Sequence, residues 1–120
     1  MMRLALHPRG LAPRLGNLAQ VRAFLLPRLA RRVTATGDPA LAALYEELRS
    51  YGPPEATDTD PAEIALPILL RHGGADLSFF STITTFGAAF DITLDEVAVE
   101  AYFPGDDRTD SYLRDLAAGR

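Results

Sequence analysis

The chain has 120 residues, 48% of them apolar, which suits a single globular domain with one modest core. It contains no cysteine, which excludes disulfides and thiolate metal sites, and no apolar run approaches the roughly 20 residues of a membrane-spanning helix. The net charge of −4 is unevenly spread: residues 1–37 carry seven arginines and no acid, and residues 50–120 carry thirteen acids against four arginines. A basic start fits a nucleic-acid surface, the solvated face of one helix, or a segment attracted to the acidic remainder. The net negative charge would repel DNA and favours the last two. Met1–Leu6 is too short for the apolar stretch of a signal peptide, and His7-Pro8-Arg9 interrupts it, so a cytoplasmic location is expected.

Residues 1–15 hold Pro8, Gly10 and Pro13 among short apolar pairs and read as an extended or turning lead-in. Asn17 is placed to cap a following helix. From Leu18, apolar residues recur at 18, 21, 25 and 29, with Arg22, Arg28, Arg31 and Arg32 over much of the remainder. This spacing predicts an amphipathic helix over 17–34. Pro27 in its middle lacks an amide hydrogen, so a kink or two helical pieces are expected. Asp38-Pro39 starts a second helix, in which Leu41, Leu44, Tyr45 and Leu48 line one face as far as Arg49. Tyr51-Gly52-Pro53-Pro54 stops it, and residues 52–62, nearly devoid of apolar side chains, read as a flexible loop.

Beyond the loop the period changes to two. Ile64, Leu66, Ile68 and Leu70 predict a strand, with Pro67 placing it at an edge or bulge. Arg71 to Asp76 reads as a hairpin loop whose two glycines supply positive φ. Leu77 to Phe86 forms the second strand, with Leu77, Phe79, Ser81, Ile83 and Thr85 on one face and Ser78, Phe80, Thr82, Thr84 and Phe86 on the other. Thr93-Leu94-Asp95-Glu96 has capping-box spacing for a single helical turn, and Val97 to Phe103 alternates as a third strand. Asp106 or Asp107 caps a short last helix with Tyr112, Leu113 and Leu116 as its apolar face. The pattern is α+β: two N-terminal helices, a three-stranded antiparallel sheet and a short C-terminal helix.

No catalytic constellation emerges. His7 and His72 belong to no metal-ligand spacing. Asp91, Asp95, Glu96 and Glu100 cluster in sequence, but a capping acid and a solvent-facing strand acid account for them better than a small enzyme's carboxylate pair. The serines and threonines of 78–85 lack a nucleophile elbow, and Gly73-Gly74 lacks the following helix of a phosphate loop. No enzyme, cofactor or metal is expected. The second strand is the unusual element, because Phe79 and Phe80 are adjacent and hydroxyls occupy both faces. Two readings fit: a packed core in which Ser81, Thr82 and Thr84 bond to backbone, or an apolar cavity with hydroxyls that orient a ligand. Alternation and aromatic placement nominate Leu66, Ile68, Phe79, Phe80, Thr82, Ile83, Phe86 and Phe90 as pocket residues.

The run LSFFSTITTFGAAFDITLDEVAVEAYFPGDD, with the earlier LALHPRGLAPRLGNLAQVRAFLLPRLAR and TGDPALAALYEELRSY, resembles the MmyB-like ligand-binding domains. These domains follow an Xre-type helix-turn-helix in bacterial transcription regulators. The resemblance covers nearly the whole chain. It implies a PAS-like fold and a hydrophobic pocket suited to a fatty-acyl or similar apolar ligand. The matched stretch starts near Leu4, after the point where the helix-turn-helix and first PAS-like strands would have passed. One partial sensor domain over 1–120 is therefore expected, without its own DNA reader, direct nucleic-acid binding or membrane attachment. A sheet edge and an apolar face left uncovered favour a homodimer or a complex with a separate helix-turn-helix protein. The alternative is an interaction or dimerisation module with a solid core and no ligand.

Overall fold

The computed structural model describes residues 2–53, 66–85 and 98–120 of the chain. Its elements are α1 (Met2–Leu6), α2 (Leu18–Thr36), α3 (Pro39–Ser50), β1 (Ile68–His72), β2 (Ala75–Thr85), β3 (Ala98–Pro104) and α4 (Asp107–Ala117). The three strands form one antiparallel sheet in the order β1-β2-β3, which agrees with the α+β pattern read from the sequence. The single helical turn expected at 93–96 lies outside the described residues.

The core belongs to the helices. Leu6, Leu15, Val21, Leu26, Leu29 and Leu48 form one buried cluster, and Ile68 and Leu70 of β1 pack against it. Leu6 comes from a segment expected to be extended or turning. That expectation is corrected, because Met2–Leu6 is helical and Ala12–Arg14 forms a 3-10 turn. The segment is too short for a periodic signal, and the buried side chains of Leu6 and Leu15 are what fold it onto its neighbours. Helix α3 begins as its sequence predicts, with the Asp38 carboxylate accepting from the Ala40 amide at 2.8 Å.

Of the two forms expected for α2 at Pro27, the divided one is corrected, and so is the placement of Arg22. The helix runs unbroken through Pro27 from Leu18 to Thr36, so it does not divide into two pieces. One residue after the proline, the Arg28 guanidinium donates to the Phe24 carbonyl at 2.8 Å and lies 3.4 Å from the centre of the Phe24 ring. Arg22 was expected on the solvated side, yet it is buried. Its guanidinium donates to the carbonyls of Leu48 at 3.0 Å and Arg49 at 3.4 Å. These are last-turn acceptors of α3, where the helix dipole also favours a cation. Gly52 makes room for it, since a Cβ there would stand 2.9 Å from the guanidinium carbon.

Asn17 also departs from its expected role. It stands at the N-cap of α2 but makes no capping bond. Its side-chain amide reaches β1 instead, donating to the Pro67 carbonyl and accepting from the Leu69 amide at 3.0 Å. The Gly16 amide donates to the Leu69 carbonyl at 2.8 Å beside it, and Leu15 bridges Leu70. The segment before α2 thus acts as a short substitute strand along the free edge of β1. The other side of the sheet has a similar device. Beyond the end of β3, Gly105 donates to the Ser78 carbonyl at 2.8 Å, and the fully buried Thr109 accepts from the Ser78 amide at 2.9 Å through its hydroxyl.

The β1–β2 hairpin is tighter than expected. Only Gly73 and Gly74 form the turn, at φ of 57° and 77°, while Arg71 and Asp76 pair across the strands. Asp106, one of the two candidate caps, opens α4 by accepting from the Thr109 amide at 2.8 Å.

Replacing Asn17 by leucine leaves the part-buried Leu69 amide and the Pro67 carbonyl of the β1 edge without this side-chain partner. Urea unfolding should show a loss of about 2 kcal/mol, with secondary structure retained at zero denaturant. The Asp106 carboxyl is held below its ordinary value by the Thr109 hydroxyl and amide. A depressed carboxyl stabilises the fold above its unfolded value and loses that contribution as pH falls through the folded value. Thermal unfolding of Asp106→Asn should therefore vary less with acidification than that of the parent chain.

Candidate functional site

Strand register divides the sheet's side chains between two unlike faces. Ile68 lies opposite Phe79, which lies opposite Pro104; Ser81 faces Tyr102 and Ile83 faces Glu100. These residues share the face that Ile68 and Leu70 turn toward the helical core. Exposure rises steadily along it. Leu77 is 4% exposed, Phe79 and Ser81 are half-buried, and Ile83 is 67% exposed. An apolar surface therefore starts under the helices and continues beyond them.

The outer face carries Leu69, Phe80, Phe103 and Val99, each between 39% and 49% exposed. The Phe80 and Phe103 rings stack across the strand pair with centroids 5.4 Å apart at 22°. Thr82 and Thr84 lie exposed beside them. This face bears no charge between Ser78 and Thr84 of β2 or between Val99 and Phe103 of β3.

The eight residues nominated from sequence separate accordingly. Leu66, Ile68 and Phe79 are half-buried, with Leu66 and Ile68 against the helical core, and Ile83 continues the same face as Phe79. Phe80 and Thr82 occupy the outer face, and Phe86 and Phe90 lie outside the described residues. Alternation keeps Phe79 and Phe80 from lining one cavity side by side. Two inner-face residues, Glu100 and Tyr102, are not nominated for the pocket from sequence, where Glu100 reads as a solvent-facing strand acid. Partial burial, and then the neighbouring Glu100 carboxylate, push the pKa of the Tyr102 hydroxyl up to about 12. The detectable signal was their i, i+2 spacing on a strand, which puts both on one face.

A separate, shallow depression on the helical side is lined by Arg3, Leu4, His7, Arg9 and Gly10. Arg3 donates to Glu47 at 2.6 Å, and this hydrogen bond is the main cause holding the carboxyl below its ordinary value. The His7 ring meets Tyr51 edge-on at 4.9 Å, and its Nδ1 accepts from the Arg9 amide at 2.9 Å. Among the described residues no group of histidines and carboxylates is arranged to hold a metal ion.

A sheet that offers apolar surface on both faces, with few polar groups and no assembled nucleophile or metal cluster among the described residues, has the make-up of a binding domain. The chain belongs to the family of MmyB-like transcription regulator ligand binding domains, whose model matches residues 1–116. No curated protein and no solved structure matches it significantly. It is thus a regulatory ligand-binding domain, and its family is not a class of enzymes. No helix among the described residues is long and apolar enough to cross a membrane.

The stacked phenylalanines should behave as a coupled pair. A double-mutant cycle of Phe80→Ala and Phe103→Ala should return an interaction energy of about 1 kcal/mol in urea unfolding. Additive losses would mean that the rings do not stack in solution.

Proposed function

We propose that this domain binds an apolar small molecule, with a fatty-acyl-like chain, on the helix-facing side of its sheet. The observation that carries the reading is the gradient on that face, from buried Leu77 through half-buried Phe79 to exposed Ile83. A surface that is dry at one end and open at the other accepts a chain-like ligand without unpacking the core. Leu66, Ile68, Phe79 and Ile83 are the contacts on this reading. A PAS-like arrangement, with helices over one face of a small antiparallel sheet, is compatible with it.

The outer face supports a partner rather than a small molecule. Leu69, Phe80, Val99 and Phe103 make a flat, uncharged apolar strip, the kind of surface that marks an association site. A second copy of the chain is the partner we favour. On this account Phe80 and Thr82 belong to an interface, and the ligand and interaction readings apply to opposite faces.

Native mass spectrometry of freshly purified protein tests both assignments. The parent chain should appear as a dimer carrying added apolar mass. Ile83→Asp should remain a dimer and lose that mass; Phe80→Asp should become a monomer and keep it. A parent chain without bound mass that also fails to take up N-phenyl-1-naphthylamine would refute the ligand reading. A parent monomer at micromolar concentration would refute the dimer, and recovery of the chain with a helix-turn-helix protein would replace the second copy with that partner.

A further inference from the structure

The two edges of the sheet are finished differently. The outer edge of β1 is closed, since the Leu69 amide donates to Asn17 and the Leu69 carbonyl accepts from Gly16. Among the described residues, no backbone group pairs with the outer edge of β3. The Gly105 amide settles which groups face that edge. It points inward to the Ser78 carbonyl, so the alternating residues Phe103, Ala101 and Val99 also bond to β2. Tyr102 and Glu100, between them, turn their amides and carbonyls outward. Pro104 shares the outward phase, and its missing amide hydrogen ends the open ladder there. An edge left in this state is a template for another strand.

We propose that β3 pairs antiparallel with β3 of a second copy, across a two-fold axis at Ala101, so that two three-stranded sheets become one. The inference rests on the reading of a second copy as the partner, and it states how that copy attaches. Side chains select the register. An axis at Glu100 would set two carboxylates directly opposite each other, and an axis at Tyr102 would set Glu100 against a proline with no amide to give. An axis at Ala101 avoids both. It sets Glu100 opposite Tyr102 of the second copy, with the outward amide and carbonyl of each free to bond the other, and a phenol beside the carboxylate. On the outer face it sets Val99, 49% exposed, opposite Phe103 of the second copy, 43% exposed, an aromatic and β-branched pair that both chains leave open. Phe80, stacked on Phe103 at 5.4 Å, backs this contact. The small side chain of Ala101 lets the two strands meet on the axis, and the uncharged strip runs on from one copy to the next.

The test is oxidative cross-linking of single-cysteine variants of the full chain, which has no cysteine of its own. Ala101→Cys falls on the axis at a non-hydrogen-bonded pair, where α-carbons stand about 4.5 Å apart, within reach of a disulfide. Thr82→Cys, on the same face but one strand further from the axis, stands about 14 Å from its copy, beyond that reach. Ala101→Cys should therefore form the linked dimer at least about tenfold faster than Thr82→Cys. In the unmodified chain, the Glu100 and Tyr102 amides should exchange at least about tenfold more slowly in the dimer than after dilution to monomer. The Val99 and Phe103 amides, already bonded to β2, should change less. If Ala101→Cys fails to fold, the exchange measurement decides. Linking of Ala101→Cys no faster than that of Thr82→Cys, or unprotected Glu100 and Tyr102 amides, overturns the inference and leaves the dimer standing. Faster linking of Thr82→Cys places the second copy over the outer face and also removes this inference alone. A parent chain that is monomeric at micromolar concentration removes both.

Discussion

The side-chain amide of Asn17, with the Gly16 amide and the Leu15–Leu70 bridge beside it, joins two layers that lie far apart in sequence. It donates to Pro67 and accepts from Leu69, bonds of the kind a neighbouring strand would supply to this edge of β1. The partners are 50 and 52 residues away in sequence. Because the bonds fix the edge of β1 against the start of α2, they also fix which face of the sheet meets the helices. Ile68 and Leu70 turn into the core, Leu69 turns out, and every alternation along β2 and β3 follows from that choice. Thr109 does the corresponding work on the opposite side, where its buried hydroxyl takes the Ser78 amide that β3 is too short to reach.

This anchoring shapes the functional surface. The helical core packs against β1 and α4 lies against β2 and β3, while the far ends of β2 and β3 extend beyond with Ile83, Tyr102, Phe80, Phe103 and Val99 exposed. One face grades from core to open surface, and the other is open throughout. A regulatory ligand-binding domain needs a surface that an occupant can cover and a second that can pass on the change. The two faces of this ribbon share a backbone one residue thick, so the side chains of one are tied to those of the other through the same strands.

Much of this organisation was legible in the residues. The change of period beyond the 52–62 loop, the paired glycines at 73 and 74, and Asp38-Pro39 each signal their element through local chemistry, and the structure places those elements within a few residues of expectation. Two of the departures, at Asn17 and Arg22, share a physical cause, which is that a side chain chose a distant backbone partner over a local one. Asn17 has N-cap chemistry, but the unpaired edge of β1 is the stronger claimant on its amide. Arg22 falls on a helix position that polarity assigns to solvent, yet the carbonyls ending α3 draw it inside. The nominated site was legible as composition but not as geometry. Adjacent phenylalanines announced two apolar faces, and only the packing of Ile68 and Leu70 shows which one the helices approach.

The division of labour between the two faces is the central claim, and methyl NMR with decanol as an uncharged probe tests it most directly. Titration should shift the methyl resonances of Ile68 and Ile83 in proportion to occupancy and leave those of Leu69 and Val99 unmoved. Shifts at Leu69 and Val99 with Ile68 and Ile83 silent would put the ligand on the outer face and contradict the account.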